Sequence, residues 1–112
     1  MTVFITQGRY TQDAIKGMLA KPEDRAETVS QLFAKAGGKM LAYYMTLGEY
    51  DFLIVSEGPS LEAAAAAAVV AAAGGGVTDL KTTVGMTSSE MKNAFVKAGG
   101  IAAGFRSAGA KG

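Results

Sequence analysis

The 112-residue chain contains no cysteine and no histidine. Without cysteine it can form no disulfide and has no thiolate nucleophile, and without either residue it lacks the usual protein ligands of zinc and haem iron. The missing histidine also removes the commonest general base near neutral pH. Any catalysis must therefore use carboxylate, tyrosine, lysine, arginine or hydroxyl side chains, and the sequence predicts neither a cofactor nor a metal site.

A strong charge of one sign and a long apolar run are also missing. Eleven basic and ten acidic residues give a net charge of +1, with no basic stripe for nucleic acid and no polybasic run for anionic lipid. The apolar run at 63–73 is far shorter than the ~20 residues of a membrane span, and the N-terminus lacks a signal-like core. We therefore expect a cytoplasmic protein with neither a nucleic-acid nor a membrane partner.

Four segments have the composition of β-strands. Runs rich in β-branched and aromatic residues occur at 2–10, 39–47, 50–57 and 77–86. Helical patterns separate the first strand from the second and the third from the fourth. This order predicts the α+β ferredoxin-like βαββαβ fold, a four-stranded antiparallel sheet with its helices on one face.

The helical segments carry recognisable start and stop signals. Thr11 is positioned to cap the first helix, which we expect to be interrupted at Pro22, the expected first residue of a second helical part. Ser60 is positioned to cap an alanine-rich helix. Ser88 or Ser89 is expected to cap a short C-terminal helix.

The length of the chain fits one domain, which we place at residues 1–98. The remaining stretch, 99–112, is rich in glycine and alanine and lacks the apolar content to order itself. We expect it to be a flexible tail that the core does not need.

Strands two and three are apolar on both faces. Leu41, Tyr43 and Met45 alternate with Met40, Ala42 and Tyr44, whereas a half-solvated antiparallel strand alternates apolar and polar residues. Leaving several large side chains in water forgoes about 1.5–3 kcal/mol each. We expect a second copy of the sheet to cover this face, so that the chain forms a homodimer or a higher oligomer.

The stretch LGEYDFLIVSEG, at 47–58, joins these two strands. Gly48-Glu49 fits a two-residue type II′ hairpin, which places glycine first because that position needs a positive φ. In such a turn, valine at position 48 is expected to cost about 1 kcal/mol or more.

The same stretch resembles the GYD domain family, named for a Gly-x-Tyr-Asp element that Gly48, Tyr50 and Asp51 carry here. The flanking sequences agree, from YYMTLG at 43–48 to VTDLKTTVGMTSSEM at 77–91, and the resemblance spans residues 2–96. It implies a ferredoxin-like fold of the dimeric α/β-barrel type, in which two sheets pack face to face and enclose a cavity. Proteins of that group include cofactor-independent oxygenases, small isomerases or dehydratases, and ligand-binding modules.

Tyr50 and Asp51 have two interpretations. In the first they only complete the hairpin, where aspartate accepts backbone N–H bonds and tyrosine packs its ring. In the second Asp51 is a catalytic base at the mouth of a cavity, with Tyr50 beside it. Further residues are candidates for ligand binding in that cavity: Tyr43, Tyr44, Arg9 and Lys81. Lys81 is also expected to form an ordinary ion pair with Asp79.

Three functions are therefore open. The first is a homo-oligomer that binds a small organic ligand in a cavity between two sheets. The second is a cofactor-independent oxygenase or isomerase that uses Asp51 and tyrosine residues. The third is an assembly protein without a ligand, because covering the sheet needs none.

Overall fold

The structure is a computed structural model and describes residues 1–109. Its sheet has the order β2-β3-β1-β4 and every neighbouring pair is antiparallel. The elements are β1 (Thr2–Tyr10), α1 (Gln12–Ala20), α2 (Ala26–Lys35), β2 (Lys39–Met45), β3 (Phe52–Gly58), α3 (Leu61–Ala73), β4 (Val77–Gly85) and α4 (Ser88–Ala102). The predicted ferredoxin-like α+β fold is confirmed, with α1 and α2 forming its first helical connection.

Side-chain caps explain where three helices begin. Thr11 Oγ1 accepts a hydrogen bond from Ala14 N (3.2 Å) at α1, and Ser60 Oγ accepts one from Ala63 N (3.1 Å) at α3, so both predicted caps are confirmed. At α4 the cap is Thr87, not Ser88 or Ser89.

Thr87 and Glu90 form a reciprocal capping box at the start of α4. Thr87 Oγ1 accepts from Glu90 N, and Glu90 Oε1 accepts from Thr87 N, each at 3.1 Å. The bond from the Thr87 backbone N–H, followed by the Thr87 hydroxyl, stabilises the ionised carboxylate and lowers the pKa of Glu90.

Pro22 does not begin the second helix. It lies between α1 and α2, and α2 begins only at Ala26. The N-cap residue is Arg25, which makes no side-chain cap bond, and the backbone N–H of Ala26 donates locally to Asp24 Oδ1 at 2.9 Å.

The two faces of the sheet have different environments. Phe4, Phe52 and Ile54 lie on the face covered by α2 and α3, where they are 2–6 % exposed. On the opposite face the register pairs Ile5 with Val55, and no helix within residues 1–109 packs over them. The chain therefore has one small core on the helical side and an apolar surface on the other.

The connection between β2 and β3 is longer than a two-residue turn. β2 ends at Met45 and β3 begins at Phe52, and Gly48 does not have a positive φ. Thr46 closes the loop by donating its N–H to Asp51 O (2.9 Å) and its hydroxyl to Tyr50 O (2.7 Å). The type II′ prediction was wrong, because a loop of this length bridges the strands without a left-handed residue at position 48.

The C-terminal helix, α4, is longer than the sequence predicts. It continues through Gly99 and Gly100 to Ala102, and every residue of it is exposed. Within residues 1–109 it has no extensive packing contact with another element, and the principal dimensions of the chain are 66 × 30 × 21 Å. Residues 110–112 of the predicted tail lie outside the described residues, and the flexibility of that tail stays a prediction.

None of the helices within residues 1–109 has both the length and the apolar character needed to cross a membrane.

The close approach of β2 to β3 makes a prediction about two glycines. A Cβ at Gly38 would collide with the carbonyl oxygen of Glu57, a backbone atom that cannot move away without disturbing the strand pairing. Gly38→Ala is therefore expected to lower the free energy of unfolding by about 1–3 kcal/mol in urea titrations. Gly48→Ala is the control, because nothing lies within 4 Å of a Cβ there, and its stability should match the wild type. Equal stability of the two variants would contradict this packing.

Candidate functional site

A cavity of about 390 Å³ lies between the sheet and helices α2 and α3. Its size falls within the range of small-molecule sites. Most of its wall is apolar, with contributions from Phe4, Leu32, Phe52, Ile54, Ala67 and Ala71. It is distinct from the sheet–sheet space predicted from the sequence, which only a second chain could enclose.

The alanine-rich sequence of α3 produces this cavity. Alanine side chains end at Cβ, so Ala64, Ala67 and Ala71 reach only a short distance from the helix toward the sheet. Larger apolar side chains at these positions would fill the space to the density of an ordinary core. The sequence pattern predicted this helix but not the cavity that its small side chains leave.

Two tyrosines supply a pair of hydroxyl groups to the wall, which also contains threonine, serine and arginine side chains. Tyr10 at the end of β1 and Tyr43 in β2 join their hydroxyl oxygens at 2.8 Å, and the Tyr10 ring lies 5.2 Å from that of Phe52. The Tyr10 hydroxyl also contacts Met45 Sδ at 3.5 Å. Burial, followed by the hydrogen bond to Tyr43, raises the pKa of Tyr10 well above its usual value.

Arg25 lies where this cavity meets a second one. The neighbouring cavity, of about 230 Å³, shares Tyr10 and Arg25 with the first and is also lined by Lys21 and Glu23. Arg25 Nη1 contacts Glu23 Oε1 at 3.2 Å, in an exposed ion pair. The positive charge of Arg25 opposes the rise in the pKa of Tyr10, which is consistent with a guanidinium near that ring.

Asp51 makes structural contacts with β1. Its Oδ2 accepts a hydrogen bond from Tyr10 N at 2.9 Å, and its own N–H donates to Gly8 O at 2.8 Å. Among residues 1–109 it is not part of the cavity wall. These bonds are structural, but their partners lie in β1 and not in the hairpin itself, as the first interpretation expected, and a catalytic role for Asp51 stays a prediction.

Tyr50 and Arg9 contact each other at the β2–β3 loop, close to Asp51. The guanidinium of Arg9 lies 5.2 Å from the centre of the Tyr50 ring, and its Nε donates to Glu49 O at 2.7 Å. Arg9 Nη1 also contacts Asp79 Oδ2 at 3.1 Å, so Arg9 joins the loop to β4. The cavity wall, as the described residues form it, includes neither Tyr50 nor Arg9.

The ion pair expected between Asp79 and Lys81 does not form, because Asp79 pairs with Arg9. The reason is a shift of register between β1 and β4 at Gln7 and Arg9, near which Asp79 takes a φ of 52° and departs from regular strand alternation. Lys81 pairs with Gln7 in the register and is exposed.

Only one of the predicted ligand-binding residues, Tyr43, lies in the cavity wall. Tyr44 is 65 % exposed and pairs with Leu53 on the uncovered face of the sheet. Neither Tyr44 nor Lys81 contributes to the cavity formed by residues 1–109.

Tyr10 and Arg25 were not among the predicted site residues. The position of Tyr10 could have been predicted, because alternation in β1 places it on the same face as Phe4, which is buried. Nothing in the sequence marked Arg25, which was expected in the first turn of a helix beginning at Pro22 and instead precedes α2. Among residues 1–109, no three acidic side chains come together as metal ligands.

The structure is a ferredoxin-like α+β fold with a cavity under its helices. The sequence profile of the GYD domain matches residues 4–95, and the chain belongs to that family. Among solved structures, TTHA0845 from Thermus thermophilus is similar, with a TM-score of 0.51 and 13% sequence identity over 79% of this chain and 96% of that one. At this identity the similarity supports the fold alone. No curated protein matches the sequence significantly.

The raised pKa of Tyr10 predicts an alkaline loss of stability. The folded protein holds the Tyr10 proton more tightly than the unfolded chain does, so this contribution is fully present below the unfolded pKa of about 10 and is lost as the pH rises through the higher folded pKa. Between about pH 8 and pH 11, wild type should lose more stability than Tyr10→Phe in urea titrations. Tyr44→Phe, which removes an exposed hydroxyl, should follow the wild-type profile. Identical profiles for wild type and Tyr10→Phe would show that Tyr10 is solvated.

Proposed function

We propose that the protein binds a small, largely apolar organic molecule in the cavity between the sheet and helices α2 and α3. The observation that carries the proposal is the cavity itself, about 390 Å³ of space with an apolar wall and a pair of tyrosine hydroxyls. Small-molecule sites combine these features, since apolar walls supply affinity and a few polar groups fix orientation.

The small core of the chain favours the same conclusion. Phe4, Phe52, Ile54 and Ala67 are the buried hydrophobic residues within 1–109, although the chain is 49% hydrophobic by count. A wall that faces empty space loses the dispersion contacts that a filled core would have. A bound apolar molecule restores these contacts, and it stabilises the folded state by mass action.

A variant that fills the cavity tests the proposal. Ala67 is buried under α3, so Ala67→Leu places three additional carbons in the cavity, whereas Ala66→Leu adds the same atoms to the exposed face of the same helix. The uncharged fluorescent probe N-phenyl-1-naphthylamine should bind wild type and Ala66→Leu, with a rise in emission and in Tm. Binding to Ala67→Leu should fall by about tenfold or more. Equal binding by the two variants, or none by wild type, would contradict the proposal.

We also propose that two copies associate through the uncovered face of the sheet. Ile5, Leu53 and Val55 lie on this face without a covering helix, and Tyr44 beside them is 65 % exposed. A contiguous apolar surface of this kind is typical of an interface, and a second copy presents the same surface.

A charge on that face is expected to prevent the association. Leu53 lies in β3, between strands β1 and β2, so Leu53→Lys would place an ammonium group within the interface. Sedimentation equilibrium at micromolar concentration should give at least a dimer for wild type and the 11.4 kDa monomer for Leu53→Lys. Ala66→Lys, on the exposed face of α3, should remain associated. A wild-type monomer would contradict the proposed association.

The enzymatic alternative receives less support than binding. Asp51, its candidate base, accepts a hydrogen bond from Tyr10 N and is absent from the cavity wall formed by residues 1–109. The paired hydroxyls of Tyr10 and Tyr43 do face the cavity, and a raised pKa suits Tyr10 to donate a hydrogen bond rather than to act as a base. A role in assembly without a ligand is the outcome if no probe binds while the oligomer forms.

A further inference from the structure

The charge in the cavity wall is concentrated at one place. Among residues 1–109, Arg25 is the only charged residue of the wall, and it accompanies Tyr10 in both neighbouring cavities. Tyr10 is six residues from Phe4 along β1, about 20 Å at the rise of a strand, and both residues line the cavity. The cavity therefore has a long apolar part and a cationic end.

Of the other hydroxyl groups in the wall, Thr28 lies in α2 three residues from Arg25, and the rest are paired or lie farther along the sheet. Thr6 Oγ1 and Thr82 Oγ1 are joined at 3.1 Å. Ser56 is 3 % exposed, and its strand partner is Phe4, at the end of β1 opposite Tyr10. These residues leave the Tyr10 end as the place where a polar group of a ligand finds partners.

The groups at this end are mainly donors. Of the two hydroxyl hydrogens of Tyr10 and Tyr43, their mutual bond uses one, which leaves the other for a ligand atom or for the weak contact with Met45 Sδ. Arg25 has five N–H donors and no acceptor, and only Nη1 contacts Glu23. Tyrosine oxygens can also accept, but a ligand atom that accepts hydrogen bonds finds the larger number of partners at this end.

The electrostatics favour an anionic acceptor. Glu23 balances Arg25 in part, but that pair is exposed to water, with side chains 39% and 53% accessible, and Lys21 adds a second positive charge to the neighbouring cavity. A guanidinium binds a carboxylate through parallel N–H bonds, which are stronger than bonds to a neutral oxygen.

We infer that the ligand is an elongated apolar molecule with one terminal carboxylate, whose apolar body lies between α3 and the sheet and whose carboxylate contacts Arg25 and the Tyr10–Tyr43 hydroxyl pair. This inference rests on the proposed binding function and adds the chemical class of the ligand. It requires the protein to distinguish an acid from a neutral molecule of the same shape.

The test compares biphenyl-4-carboxylate with its neutral isostere biphenyl-4-carboxamide at neutral pH. Each is titrated against the protein loaded with N-phenyl-1-naphthylamine, and displacement gives its Kd. Wild type should bind the carboxylate about tenfold more tightly, the ratio expected of one charge-assisted hydrogen bond over a neutral one.

Arg25→Met keeps much of the side-chain length and removes the charge, so the carboxylate should lose more affinity than the amide and the preference should fall to about twofold or less. The control is Lys35→Met, which removes a cation from the opposite end of α2, about 15 Å away along the helix. It should keep the wild-type preference. Circular dichroism melts check folding, and Arg25→Met should melt close to wild type because its ion pair is exposed.

The outcomes separate the two claims. If both probes displace N-phenyl-1-naphthylamine from wild type equally, or if Arg25→Met keeps the preference, the carboxylate inference is wrong and the binding function stands. If N-phenyl-1-naphthylamine binds and neither biphenyl probe displaces it, the inference is again wrong. If N-phenyl-1-naphthylamine itself does not bind wild type, the proposed function fails and the inference fails with it.

Discussion

Alanine side chains cannot bridge the distance between a helix and a sheet that carries aromatic residues. In this chain α3 supplies Ala64, Ala67 and Ala71, and the sheet supplies Phe4 and Phe52. The helix remains well formed because alanine has the highest helix propensity. Its stability therefore does not depend on side chains that fill the core. The cavity and the small core both follow from this composition.

The Gly-x-Tyr-Asp element lies outside the cavity but holds in place a residue of its wall. Asp51 holds the β2–β3 loop to β1 through the carbonyl of Gly8 and the N–H of Tyr10. The second bond fixes the backbone of the residue whose ring and hydroxyl bound the cavity. Tyr50 adds a contact with Arg9, which is itself bound to Asp79 of β4. The element therefore connects the loop, β1 and β4, and it positions Tyr10 without entering the cavity.

Local signals in the sequence were enough to predict the fold. Strand composition, the caps Thr11 and Ser60, and the order of the elements depend on neighbouring residues, and all of them agree with the structure. The predicted type II′ turn failed because hydrogen bonds of Thr46 close a longer loop, which a dipeptide pattern does not reveal.

Predicting the site would have required knowing contacts between residues that are far apart in the sequence. Tyr10 and Tyr43 are 33 positions apart and meet only through the pairing of their strands with β3. Arg25 reaches the cavity from an irregular segment. Asp79 forms its ion pair with Arg9 and not with Lys81 because the register between β1 and β4 shifts. Strand registers of this kind depend on the packing of the whole sheet, and one displaced residue reverses the face on which a side chain lies.

The projecting helix α4 gives the single chain an unusual size in solution. The radius of gyration is 18.7 Å, whereas a compact chain of this length has roughly 13 Å and one of twice the length roughly 17 Å. A monomer with α4 extended would therefore migrate on a sizing column as though it were a compact dimer. In small-angle scattering the forward intensity, which follows mass, identifies the number of chains, and the radius then reports whether α4 is extended or folded against a neighbour.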